Sequence, residues 1–172
     1  GLIISLLSIQ PMFFNQFASD RSGLTLLLLS PIRVEELAVG KSIAAGILYL
    51  MSAGPCVAAA LIVHPGGHPA LWVSAVLGGV GVVVALSPMA AMLSAWFPRR
   101  SDLGEIGSAG NPHPLAGLGG ALLTLLFALI PAAANLVGWT ILGSPWLTLA
   151  MQLCWCGIAT TIAVVMTKPC AA

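Results

Sequence analysis

Residues 42–98 read SIAAGILYLMSAGPCVAAALIVHPGGHPALWVSAVLGGVGVVVALSPMAAMLSAWFP, a run of 57 residues without Asp, Glu, Lys or Arg. One bilayer crossing takes about 20 residues, so this run has to cross twice. Its interior contains one polar turn signal, HPGGHP at residues 64–69, where paired Pro and Gly end a helix. The run therefore predicts one span at about 42–63 and another at about 70–97.

A second uncharged run covers residues 106–167 and divides in the same way. With Gly138 to Pro145 as its turn, it predicts spans at about 115–137 and 146–166. Residues 1–14 are expected to be the tail of a further span. Because the apolar runs are continuous rather than alternating, the sequence predicts an all-α integral membrane protein. It should have about four complete transmembrane helices plus the end of a fifth.

The composition of the chain supports a membrane protein. Of its 172 residues, 59% are hydrophobic and 6% charged, against about 25% charged in a soluble domain. The mean hydropathy of +1.04 excludes an ordinary water-soluble globule. A net charge of +1 gives no electrostatic footprint for nucleic acid. We expect a single transmembrane domain over residues 1–172, forming the carboxy-terminal fragment of a longer protein.

The charges of the chain are confined to three places. All 11 lie between Asp20 and Lys41, between Arg99 and Glu105, or at Lys168. With the predicted spans, these three segments fall on one side of the membrane and the two turns on the other. All six Lys and Arg then share a face, which the positive-inside rule assigns to the cytoplasm. The turn at 64–69 is accordingly expected on the periplasmic or extracellular side.

Three short patterns imitate functional sites but have simpler explanations. Residues 40–42 read Gly-Lys-Ser like the end of a phosphate-binding loop, but Glu35 stands where that motif needs Gly. The two histidines of the 64–69 turn are separated by Pro and Gly, which favours a plain turn over a metal pair. The cysteines of 154–156 have one residue between them, which favours packing over redox chemistry. The sequence predicts no metal or cofactor site.

The spans contain features expected at helix contacts. Three amides near membrane depth are expected to form interhelical hydrogen bonds: Gln10, Asn135 and Gln152. Small residues four apart or clustered should mark close helix approaches: Ala116 with Gly120, Gly117 with Ala121, and residues 78–81. Prolines inside the runs suit bent, shape-changing helices, or reflect only the frequency of Pro in membrane helices: Pro11, Pro55, Pro88 and Pro131.

The segment from residue 15 to residue 41 combines charges with a short apolar stretch, Leu24–Leu29. That stretch is too short to cross a bilayer. Ser30 followed by Pro31 is a helix-start signal, and Gly40 offers a stop or bend. The sequence predicts a short amphipathic helix at the membrane interface, followed by a bend into the next span.

This segment resembles the cytoplasmic loop of bacterial ABC exporter permeases of the type 2 class. Residues 15–23 (NQFASDRSG), 27–32 (LLLSPI) and 36–41 (ELAVGK) follow the typical pattern N-x-F-x-x-D-x-x-G, L-L-x-S-P and E-L-x-x-G-K. Residues 97–100 and 110–113 look like the basic, Gly-Asn-Pro-containing loop of one group of such exporters. The similarities cover about a third of the chain, and the spans match only in character.

The resemblance implies a multi-pass permease of the bacterial inner membrane, surrounded by lipid and without a catalytic site of its own. Residues 15–41 would be its coupling loop and helix, and residues 98–114 a second cytoplasmic loop. A separate ABC ATP-binding subunit would be the partner, and two permease subunits or halves would form a dimer. Six residues would receive the movement of the ATPase: Asp20, Arg21, Ser30, Pro31, Glu36 and Lys41.

Two other functions remain open from the sequence. Asp102, Glu105 and His113 surround a Gly-rich loop and could carry acid/base chemistry on lipid headgroups. Such residues are more often a solvated loop with helix-capping groups. A non-catalytic membrane scaffold is the second alternative. Within the spans there is no Asp, Glu, Lys, Arg or His, which argues against a proton- or ion-coupled carrier.

Overall fold

The computed structural model describes residues 1–16, 34–97 and 113–167, and every regular element in these ranges is helical. The five α-helices are α1 (Leu2–Phe13), α2 (Val34–Val63), α3 (Pro69–Trp96), α4 (Pro114–Asn135) and α5 (Pro145–Thr167). A π-helical turn, Leu136–Ile141, continues α4. The predicted all-α fold with four long apolar helices is confirmed.

Four helices are long and apolar enough to cross a membrane. They are Val39–Val63, Pro69–Trp96, Pro114–Ile141 and Pro145–Thr167, each with 23 to 28 residues. These spans match the predicted ones to within about four residues at each end. Helix α1 has 12 residues, or about 18 Å at 1.5 Å per residue, which is shorter than the roughly 30 Å hydrocarbon core. With four helices of this length and hydrophobicity, the chain is a multi-pass membrane protein.

The helices alternate in direction and give the bundle two ends. At one end the turn after α2 meets the turn before α5, where the rings of His68 and Trp146 lie 5.5 Å apart. At the other end Phe97 stacks on His113 with ring centroids 5.4 Å apart. Here the described residues adjoin the three charged segments in sequence, and we call this the charged end. The grouping of the charges on one side is thus consistent with the fold.

Helix α2 runs through Gly40 without a break, from Val34 to Val63. Of the stop or bend expected at Gly40, the stop is therefore wrong. A glycine inside a helix costs only about 1 kcal/mol, whereas broken backbone hydrogen bonds within the hydrocarbon region cost several kcal/mol each. The separate amphipathic helix is not confirmed, since residues 17–33 lie outside the described residues.

The second turn is shorter than the predicted Gly138–Pro145. Because the π-helical turn extends α4 to Ile141, only residues 142–144 connect it to α5. Gly143 adopts a positive φ of 63°, which glycine allows without strain. The turn was predicted too early because Gly138 is part of a close helix contact and not of the turn. A Cβ at residue 138 would lie 2.8 Å from the Cα of Thr148.

Helix α3 is the centre of the bundle and contacts all four other helices. It approaches them closely because Gly78, Gly79 and Gly81 are buried and lack side chains. We call these three residues the glycine face. Tyr49 of α2 packs on Gly79, whereas Gln152 and Trp155 of α5 pack on Gly78 and Gly81.

The predicted helix contacts at small residues are confirmed in most cases. Besides the glycine face, Ala116 and Gly120 are buried, and the ring of Phe14 lies against Gly120. Gly117 and Ala121 are only partly buried. The prolines Pro11, Pro55, Pro88 and Pro131 all lie inside helices.

The outer surface of the bundle is apolar. Helix α4 exposes a row of leucines three or four residues apart: Leu115, Leu118, Leu122, Leu125 and Leu129. Only 11% of the α2 span is buried. Such continuous apolar surface is stable against lipid acyl chains and not against water.

Candidate functional site at the charged end

Two of the six predicted coupling residues are described, and both lie at the start of α2. Glu36 is exposed, and Lys41 is half-buried. The Lys41 Nζ donates a hydrogen bond to the Gln16 carbonyl oxygen at 3.2 Å, which ties α2 to the residues after α1. Lys41 is five positions after Glu36, so the two side chains leave the helix about 140° apart. Asp20, Arg21, Ser30 and Pro31 lie outside the described residues.

A groove of about 600 Å³ opens beside Lys41 between α2, α3 and α5. We call it the charged-end groove. Its lining includes several small or flexible side chains: Pro88, Ala91, Met92 and Ala95 of α3, and Ala163 and Val164 of α5. Its volume lies within the range of about 300–1,000 Å³ that small-molecule pockets occupy.

The hydroxyl groups in this groove form hydrogen bonds within the protein. Ser42 of α2 and Ser87 of α3 hydrogen-bond each other across the helix contact. Thr160 donates to the Cys156 carbonyl at 2.8 Å, and Thr167 donates to the Ala163 carbonyl at 3.1 Å. The side walls therefore present mainly hydrocarbon to any occupant.

The three amides form the expected interhelical hydrogen bonds. Gln10 Nε2 of α1 donates to Thr124 Oγ1 of α4 at 2.9 Å. Asn135 Oδ1 of α4 accepts from Ser74 Oγ of α3 at 3.2 Å. Gln152 Nε2 of α5 donates to the Pro131 carbonyl at 2.8 Å. These contacts join helices at membrane depth, each with a modest gain of about 0.6–2 kcal/mol.

Two of the three histidines act as helix caps. His68 Nδ1 accepts from the Ala70 backbone N–H at 3.2 Å, and His113 Nδ1 accepts from Leu115 N–H at 3.3 Å. In both cases Pro occupies the first helical position, where no backbone N–H is needed. Residues 65–67 form a turn between α2 and α3, and His68 caps α3 at the end of this turn.

The described part of the chain has no group of three or more His, Cys, Asp or Glu that could hold a metal ion. Cys154 and Cys156 are free thiols. Cys154 is exposed on the lipid-facing side, and Cys156 Sγ donates to the Leu77 carbonyl at 3.3 Å. Asp102 and Glu105 lie outside the described residues.

Sequence reasoning placed Lys41 in the coupling region but missed the groove beside it. The available signal was Ala91 and Ala95, two small residues one turn apart near the end of α3. Small residues four apart indicate either a close helix approach or, as here, space between helices. Comparison with protein-family models, curated proteins and solved structures finds no match to this chain.

Proposed function

We propose that the chain is the membrane-spanning permease component of an ATP-driven ABC exporter of the bacterial inner membrane. The observation that carries this proposal is the N-x-F, S-P and E-L-x-x-G-K pattern of residues 15–41 on the side that holds all six Lys and Arg. The permease would contain no catalytic site, and an ABC ATP-binding subunit would hydrolyse the nucleotide. Two permease subunits or halves would form the translocation path.

The continuity of α2 supports a coupling role. Residues 36–41 belong to the same unbroken helix as Tyr49, whose ring packs against the glycine face of α3. A movement of the ATPase applied at Glu36 would therefore tilt α2 as a rigid body and shift it against the central helix. The Lys41 contact with the Gln16 carbonyl would carry the same movement to α1.

Replacing Glu36 and Lys41 by Gln is expected to uncouple transport from ATP hydrolysis without preventing membrane insertion. The protein would be purified from its native membrane in mild detergent, and its partners identified by mass spectrometry. A stoichiometric P-loop ATPase is expected with the unchanged protein. Its recovery should fall about tenfold in the double variant, since losing an interface charge contact costs more than 1.4 kcal/mol.

The charge-conserving pair Glu36→Asp and Lys41→Arg serves as the control and should retain the partner. Transport at the unchanged rate in both Gln variants would count against the coupling role. Absence of an ATPase under conditions that preserve other membrane complexes would favour the lipid-headgroup enzyme or the scaffold. The His113 ring already caps α4, which gives the enzyme alternative little support.

The topology gives an independent prediction. A Gly66→Cys variant in a cysteine-free background should react with a membrane-impermeant thiol reagent added outside the cell, because the 64–69 turn lies opposite the charged end. Gly66 is exposed with open space around it, so the substitution itself should be tolerated. A Gly40→Cys variant near the charged end, also exposed with open space around it, is the matched control and should not react from outside. Labelling of residue 66 from the inside only would show that the orientation is the reverse of the one predicted.

A further inference from the structure

Hydrogen bonds between side chains connect four of the helices into a closed ring. They join α1 to α2, α2 to α3, α3 to α4, and α4 back to α1: Ser8 with Ser52, Ser42 with Ser87, Ser74 with Asn135, and Thr124 with Gln10. Each pair forms at one relative height of its two helices, because a shift by one turn would move the two side chains about 5 Å apart. Helices α1 to α4 therefore keep a fixed register, and we call these four helices the frame.

Helix α5 is attached to the frame by a different kind of hydrogen bond. Three of its side chains donate to backbone carbonyls of α3 and α4: Gln152 Nε2 to Pro131 at 2.8 Å, Trp155 Nε1 to Gly78 at 3.3 Å, and Cys156 Sγ to Leu77 at 3.3 Å. A helix carries an equivalent carbonyl one turn, or about 5.4 Å, farther along its axis. The three donors can therefore find new acceptors after a shift by one turn, and these bonds do not fix a single register.

The surface of α3 under α5 allows the same shift. Helices α3 and α5 both begin at the end opposite the charged end and run parallel. The Trp155 ring packs on Gly81, and Gly78 lies about one turn nearer the start of α3. Gln152 now lies at Gly78 and would move away with α5. Because neither glycine has a side chain, the glycine face offers two positions for one indole ring.

Gln152 indicates the direction of the shift. Its side chain is fully buried, and its Oε1 accepts no hydrogen bond from the residues that the structure describes, which is costly at membrane depth. The amide now lies beside Gly78 of α3 and Pro131 of α4. One turn farther from the charged end, these two helices present Ser74 and Asn135. A shift of α5 in that direction would bring Oε1 to the Asn135 Nδ2 and the Ser74 hydroxyl, which are hydrogen-bond donors.

The connection between α4 and α5 can follow such a movement. It consists of residues 142–144, and Gly143 adopts a positive φ of 63°. The π-helical turn Leu136–Ile141 directly precedes it. Glycine changes its backbone conformation at little cost, and π-helical turns are frequent at functional sites. The start of α5 can therefore move without breaking α4.

We propose that α5 slides on the frame between two registers one helical turn apart, a ratchet of about 5.4 Å. Ala163, Val164 and Thr167 of α5 line the charged-end groove, so the shift withdraws one wall of this groove from the charged end. The register of α5 thus opens and closes the groove. This movement is a property of the bundle and would remain if the partner of the chain were not an ATPase.

The test detects the two registers by disulfide formation in the native membrane. Cys156 is kept, every other cysteine of the chain is replaced by serine, and one cysteine is introduced into α3. Leu77→Cys reports the described register, because Cys156 Sγ lies 3.3 Å from the Leu77 carbonyl. Val73→Cys reports the shifted register, because residue 73 is one turn farther from the charged end. After mild oxidation, each disulfide is quantified by mass spectrometry of the digested protein.

Both Leu77→Cys and Val73→Cys should form the disulfide with Cys156. Four residues correspond to about 6 Å along α3, which in a static bundle takes residue 73 beyond the roughly 7 Å that a disulfide spans between Cα atoms. Val80→Cys, about one turn nearer the charged end, is the matched control and should form little disulfide. The proposal is overturned if Val73→Cys reacts no faster than Val80→Cys.

A second substitution tests the role of the Gln152 acceptor. Asn135→Leu removes a donor for Gln152 in the shifted register and should lower the Val73→Cys disulfide about threefold relative to the Leu77→Cys disulfide. Thr124→Val, also on α4, removes a side-chain pair to α1 and should leave this ratio unchanged. An unchanged ratio with Asn135→Leu, or equal changes with the two variants, would refute the sliding of α5.

Discussion

Gly79→Ala is expected to destabilise the bundle by about 1–3 kcal/mol, although alanine is the better helix former. A Cβ at this position would overlap the Tyr49 hydroxyl and its Cζ atom. Tyr49 is fully buried between α2 and α3, so its ring cannot swing out and the helices have to separate. Reversible unfolding of the full-length protein in mixed micelles, followed by circular dichroism, would measure the loss.

Gly54→Ala on the same helix pair is the matched control. A Cβ at Gly54 meets nothing within 4 Å, so this substitution should stabilise α2 by up to about 1 kcal/mol. Combining Gly79→Ala with Tyr49→Ala should cost less than the sum of the two single changes, because the truncated ring no longer collides with the new methyl group. An equal effect at both glycines, or strict additivity of the pair, would refute the close contact.

Trp155→Ala is expected to have a still larger effect, about 3–5 kcal/mol. The ring is 3% exposed and packs on Gly81 of the glycine face. Its Nε1 donates to the Gly78 carbonyl at 3.3 Å. Truncation leaves a cavity between α3 and α5 and removes this hydrogen bond as well. The same unfolding titration in mixed micelles would report it as a lower unfolding midpoint.

Trp146→Ala provides the comparison, because this residue is 66% exposed at the start of α5. Its main described contact is the edge-to-face pair with His68, and such a pair contributes about 0.5–1.5 kcal/mol. The loss should therefore be several times smaller than at Trp155. Equal losses at the two tryptophans would contradict the central position of α3 and its packing against α5.

The spans could be predicted from the sequence because the bilayer imposes a length and excludes charge. The uncharged runs and the His-Pro-Gly turn located the four spans within a few residues. Gln10, Asn135 and Gln152 were expected to bond between helices, since an amide in hydrocarbon needs a partner. The π-helical turn was not predictable, because no periodicity distinguishes one wider turn within an apolar run.

Which helix lies at the centre could not be predicted. In water a buried face is more apolar than an exposed one, but in lipid both faces are apolar and the periodic pattern disappears. The glycines of α3 indicated contacts but not which side chains would meet them. For this reason, no sequence pattern predicts that Tyr49 and Trp155 pack on these glycines. The groove beside Lys41 could not be predicted either, because it depends on how α2, α3 and α5 diverge and not on any motif.

The central position of α3 has a consequence for biosynthesis. Trp155 lies 59 residues after the end of α3 at Trp96. Ribosomes add roughly 5–20 residues per second. Helix α3 is therefore complete about 3–12 seconds before Trp155, which packs on Gly81, has been synthesised. During this interval the glycine face has to persist in lipid without its main partner. A mean hydropathy of 2.1 over the α3 span makes that possible. The apolar side chains of α3 therefore allow this helix to insert into the membrane on its own. Its glycines later allow α5 to pack closely against it.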